Sequence, residues 1–250
     1  MSSIGDIYNK INELAPFASA ADFDNVGLLV GSCQKEVKKA LICLDITSAV
    51  INEAVEKDCQ LIISHHPVIF NPVKKIGEES PVYKLIENHI AALACHTNLD
   101  KAEKIGVNAA LCSRLSLNNL RQTAEFLTEG EIEPTTALQF AEKIKEITGC
   151  DFLEAVLPQN IDEYVIGTVG VSSGAGGEFV FETRADAFVT GEMKHHERLY
   201  AKEKGIAAFI LGHYESETVY KESFRNFLTE NFTDVEFIIT EKETPPTTMI

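Results

Sequence analysis

Six of the seven histidines in this 250-residue chain fall in four tight clusters, each just past or near an apolar stretch. Ser64-His65-His66-Pro67 follows Leu61-Ile62-Ile63. His96-Thr97-Asn98-Leu99-Asp100 follows a run ending at Cys95, and Gly212-His213-Tyr214-Glu215-Ser216-Glu217 follows Phe209-Ile210-Leu211. The pair His195-His196 opens a helical pattern. Imidazoles and carboxylates are ligands for divalent cations, and their spacing here favours that chemistry. His213 and Glu217 are four apart and share a face if a helix starts near Gly212. Adjacent His65 and His66 would point to opposite faces of a regular strand, but a strand end ahead of a proline is irregular, so each can serve a different ion of a pair. With Asp100, the set His65, His66, Asp100, His213 and Glu217 offers three nitrogens and two carboxylates. A carboxylate can bridge ions roughly 3.5–4 Å apart, the separation used in two-metal hydrolytic sites. No thiolate belongs to the set, so it suits Zn, Fe, Mn, Co or Ni without choosing among them.

The elements that must carry these residues are legible from hydrophobic patterning. Apolar residues at 4, 7, 8, 11 and 14 predict a first helix that ends before Pro16. Ala40–Leu44 is a continuous apolar run, read as a buried strand, and Ala49–Val55 has helical period. The alternation returns at Leu61–Ile63, Val82–Glu87, Ile90–Cys95 and Ala102–Leu115, which predicts an α/β layer with a parallel-type sheet. Between Ser116 and Pro134 the pattern weakens into a polar stretch that reads as a boundary. Beyond it, Ala137–Ile147 is helical and Asp151–Leu157 strand-like. Val165–Val171, Ala187–Thr190, Ala207–Leu211 and Val235–Thr240 read as strands, with helices at His195–Lys204 and Glu215–Leu228. The last residues, from Glu243 through Pro245-Pro246, read as a tail. The expected organisation is therefore two α/β lobes, 1–120 holding His65, His66 and Asp100, and 135–250 holding His213 and Glu217. In open α/β sheets ligands bind beyond the carboxyl ends of the strands, which is where these clusters fall. The lobes also echo each other. His-His occurs in both, and an Ala-Ala-containing run precedes both His96-x-x-x-Asp100 and His213-x-x-x-Glu217, so similar topology is expected of the two.

Composition narrows the function classes. The chain is 45% hydrophobic and 24% charged, ordinary globular values, and its length fits about one and a half to two domains. The longest apolar runs are far short of the about 20 residues that cross a bilayer, and the amino terminus lacks the basic start and apolar stretch of a secretory signal. A cytoplasmic chain with no membrane partner is expected. A net charge of −16 repels phosphate backbones, so duplex nucleic acid is a poor partner. The six cysteines are widely spaced with no C-x-x-C pair and read as reduced core thiols.

Five ordered segments, Asp24-Asn25-Val26-Gly27-Leu28-Leu29-Val30-Gly31, Ser64-His65-His66-Pro67, His96 to Asp100, Thr190-Gly191-Glu192-Met193-Lys194-His195-His196 and Gly212-His213-Tyr214-x-x-Glu217, together resemble the GTP cyclohydrolase 1 type 2 family, the Nif-three-like dinuclear metal-centre proteins. The match runs from near residue 4 to about 240. Phe23 stands where a tryptophan is frequent in that family. The resemblance implies a two-lobed α/β protomer, two divalent ions in the inter-lobe cleft, and a ring-shaped homohexamer. It implies His65, His66, Asp100, His213 and Glu217 as ligands, with Glu217 bridging, the same set that the spacing suggests. It also implies a compact form without an inserted domain.

A pair of divalent ions acidifies water and neutralises developing negative charge, so the expected reaction is hydrolysis of a small-molecule or nucleotide substrate. With GTP, as the family name implies, attack at C8 of guanine would open the imidazole ring and a second hydrolysis would release formate. His195, His196 and Glu192 are candidates for proton shuttling or substrate contact, His96 for acid–base duty, and isolated His89 for a structural role. Gly174-Ala175-Gly176-Gly177 is either a phosphate-binding turn or a tight turn needing small residues. Two rival classes remain: a non-catalytic, metal-stabilised scaffold, and a serine hydrolase in which Ser172 of Gly170-Val171-Ser172-Ser173-Gly174 is the nucleophile and His213 the base.

Overall fold

The computed structural model describes residues 1–150, 152–159, 161 and 164–247. Contacts divide the chain into two compact units, one of Met1–Gly106 with Lys221–Thr244, the other of Val107–Tyr220 with Pro245–Ile250. The strands among the described residues are β1 (Gly27–Val30), β2 (Lys39–Cys43), β3 (Leu61–Ser64), β4 (Ala91–Ala94), β5 (Asn118–Ala124), β6 (Leu127–Thr136), β7 (Glu154–Val156), β8 (Val165–Ser172), β9 (Ala187–Thr190), β10 (Ala207–Ile210) and β11 (Glu236–Ile239).

The first unit is built on a five-stranded sheet of order β1-β4-β3-β2-β11, parallel except for β1. Strands β3 and β4 are buried along their whole length, which is why they read as unbroken apolar runs without alternation. The opening helix, Ile4–Leu14, is started by a capping box between Ser3 and Asp6 and buries Ile4, Ile7 and Ile11, the face predicted by their spacing. The helix Ser48–Glu56 covers the sheet through Val50, Ile51 and Ala54, which join Leu41, Ile62 and Ala92 in one core cluster.

The second unit has a six-stranded sheet of order β5-β6-β8-β9-β10-β7, with β8, β9 and β10 parallel and the remaining pairs antiparallel. Phe188, Ala208 and Ile210 of its inner strands pack with Val180, Met193 and Ala201. On the sheet, Phe209 meets Phe140 of the helix Ala137–Thr148 edge to face at 5.3 Å.

The expected topological likeness is present. In each unit three successive parallel strands lie side by side, and the strand that precedes them in sequence pairs antiparallel with the third: β1-β4-β3-β2 in one, β7-β10-β9-β8 in the other. In this correspondence His65-His66 and His195-His196 both follow the middle strand, while His96 and His213 both follow the third.

Three expectations differ from the structure. The polar stretch at 116–134, read as a boundary, is the β5–β6 hairpin. β5 is an edge strand whose residues are almost all exposed, so neither face carries an apolar alternation to announce it. The chain changes unit at Gly106/Val107 instead, and returns at Tyr220/Lys221. The predicted helix over 215–228 is two helices, His213–Glu217 and Tyr220–Asn231, and the return to the first unit begins beside that break. Accordingly β11 adds to the first sheet, parallel to β2 with Glu236 opposite Lys39 and Ile239 opposite Ile42, instead of closing the second. Asp151, at the start of the predicted strand 151–157, lies outside the described residues, and the strand spans Glu154–Val156.

Candidate metal centre

In the first unit the loops after β3 and β4 bring three imidazoles together. His65 and His66 leave the sheet just beyond Ser64, their N–H groups bonded to the carbonyls of Cys43 and Leu44 at 3.1 and 2.9 Å. Because they stand past the pleated strand they do not diverge, and their ring centroids are 5.1 Å apart. His96 follows β4, with its ring 5.1 Å from His65 and 5.3 Å from His66. One ring nitrogen from each of the three lies within 4.8 Å of the others, the grouping expected of ligands around a cation. Asp100 closes the short helix Thr97–Asp100 and its Oδ1 lies 3.5 Å from His65 Nε2.

Each ring is oriented through its Nδ1. His65 Nδ1 is 2.8 Å from the carbonyl oxygen of Cys95, His66 Nδ1 is 2.9 Å from Asp45 Oδ1, and His96 Nδ1 is 2.9 Å from Asp24 Oδ1. These oxygens only accept hydrogen bonds, so Nδ1 carries the proton and Nε2 is the basic atom of the neutral ring. Metal-ligating histidines are held in this way, through a carbonyl or carboxylate on the nitrogen away from the ion. Asp24 also accepts from the backbone N–H and hydroxyl of Thr97. Burial pushes its carboxyl up, but the bonds from His96 and Thr97 outweigh burial and hold it well below the usual carboxylate range.

The second unit supplies another pair. His213 Nε2 lies 3.1 Å from Glu217 Oε2 across one helical turn, and His213 Nδ1 lies 2.7 Å from Glu192 Oε1. The hydrogen bond with Glu217, together with the charges of Glu217 and Glu192, outweighs burial and pushes His213 up to about 9. A group held as a cation between carboxylates marks a place built for positive charge. Gly174, at φ +58°, makes room for it. A Cβ there would come within 2.1 Å of Glu217 Oε1 and 3.3 Å of His213 Nε2.

The remaining sequence candidates are placed as follows. Glu192 is exposed but bonded to His213. His195 and His196 open the helix His195–Lys204, both exposed, and the His196 ring stacks on Phe181 at 6.1 Å and 18°, so this pair belongs to the helix surface. His89 adopts φ +56° just beyond the helix Pro81–Glu87, a helix-end conformation. The glycines of 174–177 serve close packing. Gly174 N–H donates to Ser216 Oγ, and a Cβ on Gly176 or Gly177 would collide with Ser172 Oγ or with Glu192 O and Glu197 Oε2. The Ser172 nucleophile is corrected. Ser172 is buried as the last residue of β8, and a turn with the 3₁₀ segment Gly176–Phe181 follows where a nucleophile elbow would lead into an α-helix. None of the six cysteines is in a disulfide and five are buried, and burial pushes Cys112 up to about 12, consistent with core thiols.

Sequence reasoning missed Asp24 and Asp45 as orienting groups. The signal for Asp24 was present in the Asp24-Asn25 motif. Asp45 lies one strand away from His66, and nothing in the spacing connects them. No described helix is long and apolar enough to cross a membrane.

Comparison with known proteins places these observations. A family model described as Duf34/NIF3 (NGG1p interacting factor 3) matches residues 2–246. The chain is 32% identical over 230 residues to a "GTP cyclohydrolase 1 type 2 homolog" of Clostridium acetobutylicum, covering 86% of this chain and 85% of that one. It is 30% identical over 256 residues to the "Protein NIF3 homolog" of Schizosaccharomyces pombe, covering 92% and 91%. Among solved structures, the crystal structure of Staphylococcus aureus protein SA1388 is similar over 99% of both chains with a TM-score of 0.90 at 28% identity.

Proposed function

The chain belongs to the Duf34/NIF3 family, and on that premise we propose that it is a metal-dependent hydrolase whose two divalent ions are held by His65, His66, Asp100, His213 and Glu217. The observation that carries this reading is the shared orientation of the three ligand imidazoles. His65, His66 and His213 each have Nδ1 against a carbonyl or carboxylate oxygen, which supports the reading of Nε2 as the ligand atom; at His213 the ion would take the place of the proton that Nε2 shares with Glu217 in the metal-free protein. Bound divalent ions supply Lewis acidity and a lowered pKa for water.

The protein's own groups do the rest. The Cys95 carbonyl, Asp45 and Glu192 fix the rings and raise their basicity as ligands. Asp100 and Glu217 contribute the negative charge that balances the ions. His96, oriented by Asp24 and only partly buried, is the group that accepts or returns a proton at Nε2 during hydrolysis. Nucleotides are the substrate class, as the name GTP cyclohydrolase 1 type 2 homolog carried by relatives suggests, and the working assembly is a homohexamer in the cytoplasm.

The test is direct. The purified protein, loaded separately with Zn, Fe, Mn, Co and Ni, is assayed for metal content and for turnover of GTP and a panel of phosphoesters and amides, beside His65→Ala and Glu217→Ala. Two ions per chain, with turnover lost in both variants, is the expected result. Full occupancy without turnover by any metal would replace catalysis with a metal-stabilised scaffold.

A further inference from the structure

Two phenylalanine rings stand in solvent beside the histidine triad of the first unit. Phe23 is 67% and Phe70 46% exposed. Their centroids are 6.4 Å apart, and the Phe70 ring meets His96 near edge-on, at 6.5 Å and 73°. Aromatic surface therefore runs from solvent to His96 and, through it, to His65 and His66.

Single exposed apolar side chains are ordinary, but the backbone beside these two is held in place by the side chains of Asp24 and Asn25. Asp24 follows Phe23. Its side chain is fully buried and it binds the ring of His96 and both the N–H and hydroxyl of Thr97. Asn25 Nδ2 donates to the carbonyl oxygen of Ile69 at 2.6 Å, fixing the residue before Phe70. The Asp24-Asn25 pair, which the ligand set does not use, thus ties both aromatic segments to the loop that carries His96. Rings presented on anchored backbone lose little freedom when a partner docks, and aromatic faces accept planar bases by stacking.

We propose that Phe23 and Phe70, next to His96, form a platform that binds the planar ring of a heteroaromatic ligand beside the histidine triad. The proposal rests on the hydrolase reading only in taking the triad as the reacting end of the site; the platform itself is tested without turnover.

The probe is 2-aminopurine riboside, whose fluorescence is quenched on stacking, titrated into the full-length protein with and without Zn. Saturable quenching is expected, with Kd about tenfold weaker in Phe23→Ala and in Phe70→Ala. Phe70→Leu keeps the apolar bulk but lacks the π face, and is expected to weaken binding as Phe70→Ala does. Phe70→Trp should restore it. Zn stoichiometry, measured on the same samples, should be unchanged in all four variants. No quenching in the wild type, or equal Kd in wild type and alanine variants, overturns the platform. So does loss of oligomeric state in Phe70→Ala by sedimentation, if the wild type fails to bind the riboside. Failure of the wild type to bind any of Zn, Fe, Mn, Co and Ni overturns the hydrolase reading instead and leaves the quenching data to judge the platform.

Discussion

Glu243 Oε1 accepts hydrogen bonds at 2.7 Å from the backbone N–H of Asp45 and from that of Leu44. Asp45 in turn holds the His66 ring, and Lys221 holds the other Glu243 oxygen at 2.7 Å. A segment that reads as a tail therefore braces the loop behind one candidate ligand.

This predicts separable effects. Asp45→Ala removes only the partner of His66 Nδ1 and should weaken Zn binding about 10–100-fold while changing unfolding free energy little, since Asp45 is half-exposed. Glu243→Ala removes one partner of Lys221 and the acceptor of two backbone N–H groups and should cost about 1–3 kcal/mol of stability, with weaker Zn binding as well. Calorimetric titration with Zn and urea denaturation distinguish the two. Equal Zn affinity in Asp45→Ala and wild type would refute the bracing role.

Gly174 offers a steric test. A methyl group there meets the Glu217 carboxylate at 2.1 Å, and the positive φ strains any L side chain. Gly174→Ala should displace Glu217 and lower Zn affinity at least about tenfold. Gly149, also at positive φ but with open space around its Cβ position, is the control. Gly149→Ala should alter stability by about 1 kcal/mol and leave Zn binding unchanged.

Glu53 governs part of the acid response. Burial pushes its carboxyl up, but the Thr240 hydroxyl, the Glu241 N–H and Lys57 outweigh burial and lower it below its ordinary value of 4.5. A depressed folded-state pKa adds stability that is complete above the unfolded value and is lost as pH falls through the folded one. Unfolding free energy should therefore drop below about pH 4.5, and Glu53→Gln should flatten that limb while lowering stability at pH 7 by about 1–3 kcal/mol. Urea titrations from pH 7 to 3 measure both.

In metal-free protein, His213 should titrate near 9. Its raised pKa adds stability that is complete below the ordinary value of 6.5 and is lost as pH rises through about 9. Glu217→Gln should bring the histidine down further than Glu192→Gln, because the Glu217 hydrogen bond is the largest cause. Proton NMR of the imidazole resonances follows each, and an unchanged midpoint in Glu217→Gln would contradict the assigned pairing.

The ligand candidates were legible because histidine and carboxylate at strand ends carry chemistry in their type alone. The inner strands were legible for a related reason: burial on both faces writes Leu61-Ile62-Ile63 and Ala91 to Ala94 as continuous apolar runs. The β5–β6 hairpin was not, since Asn118–Ala124 exposes both faces and offers no period. Nor was the destination of β11. Phe237 and Ile238 announce a strand, but backbone pairing alone chooses the sheet it joins, and that choice is silent in side-chain pattern. The orienting partners escaped for the same reason. Asp45 reaches His66 across neighbouring strands, and Glu243 reaches Asp45 from 198 residues away.

The return of β11 to the first sheet has a consequence for biosynthesis. Residues 107–220 form an uninterrupted stretch that a ribosome can release whole, so that unit can complete its sheet while translation continues. The unit holding His65 and His66 must wait for its outer strand and for Glu243, both of which follow that whole stretch in the chain. A chain truncated before residue 236 would emerge with its second sheet intact and its histidine triad unbraced.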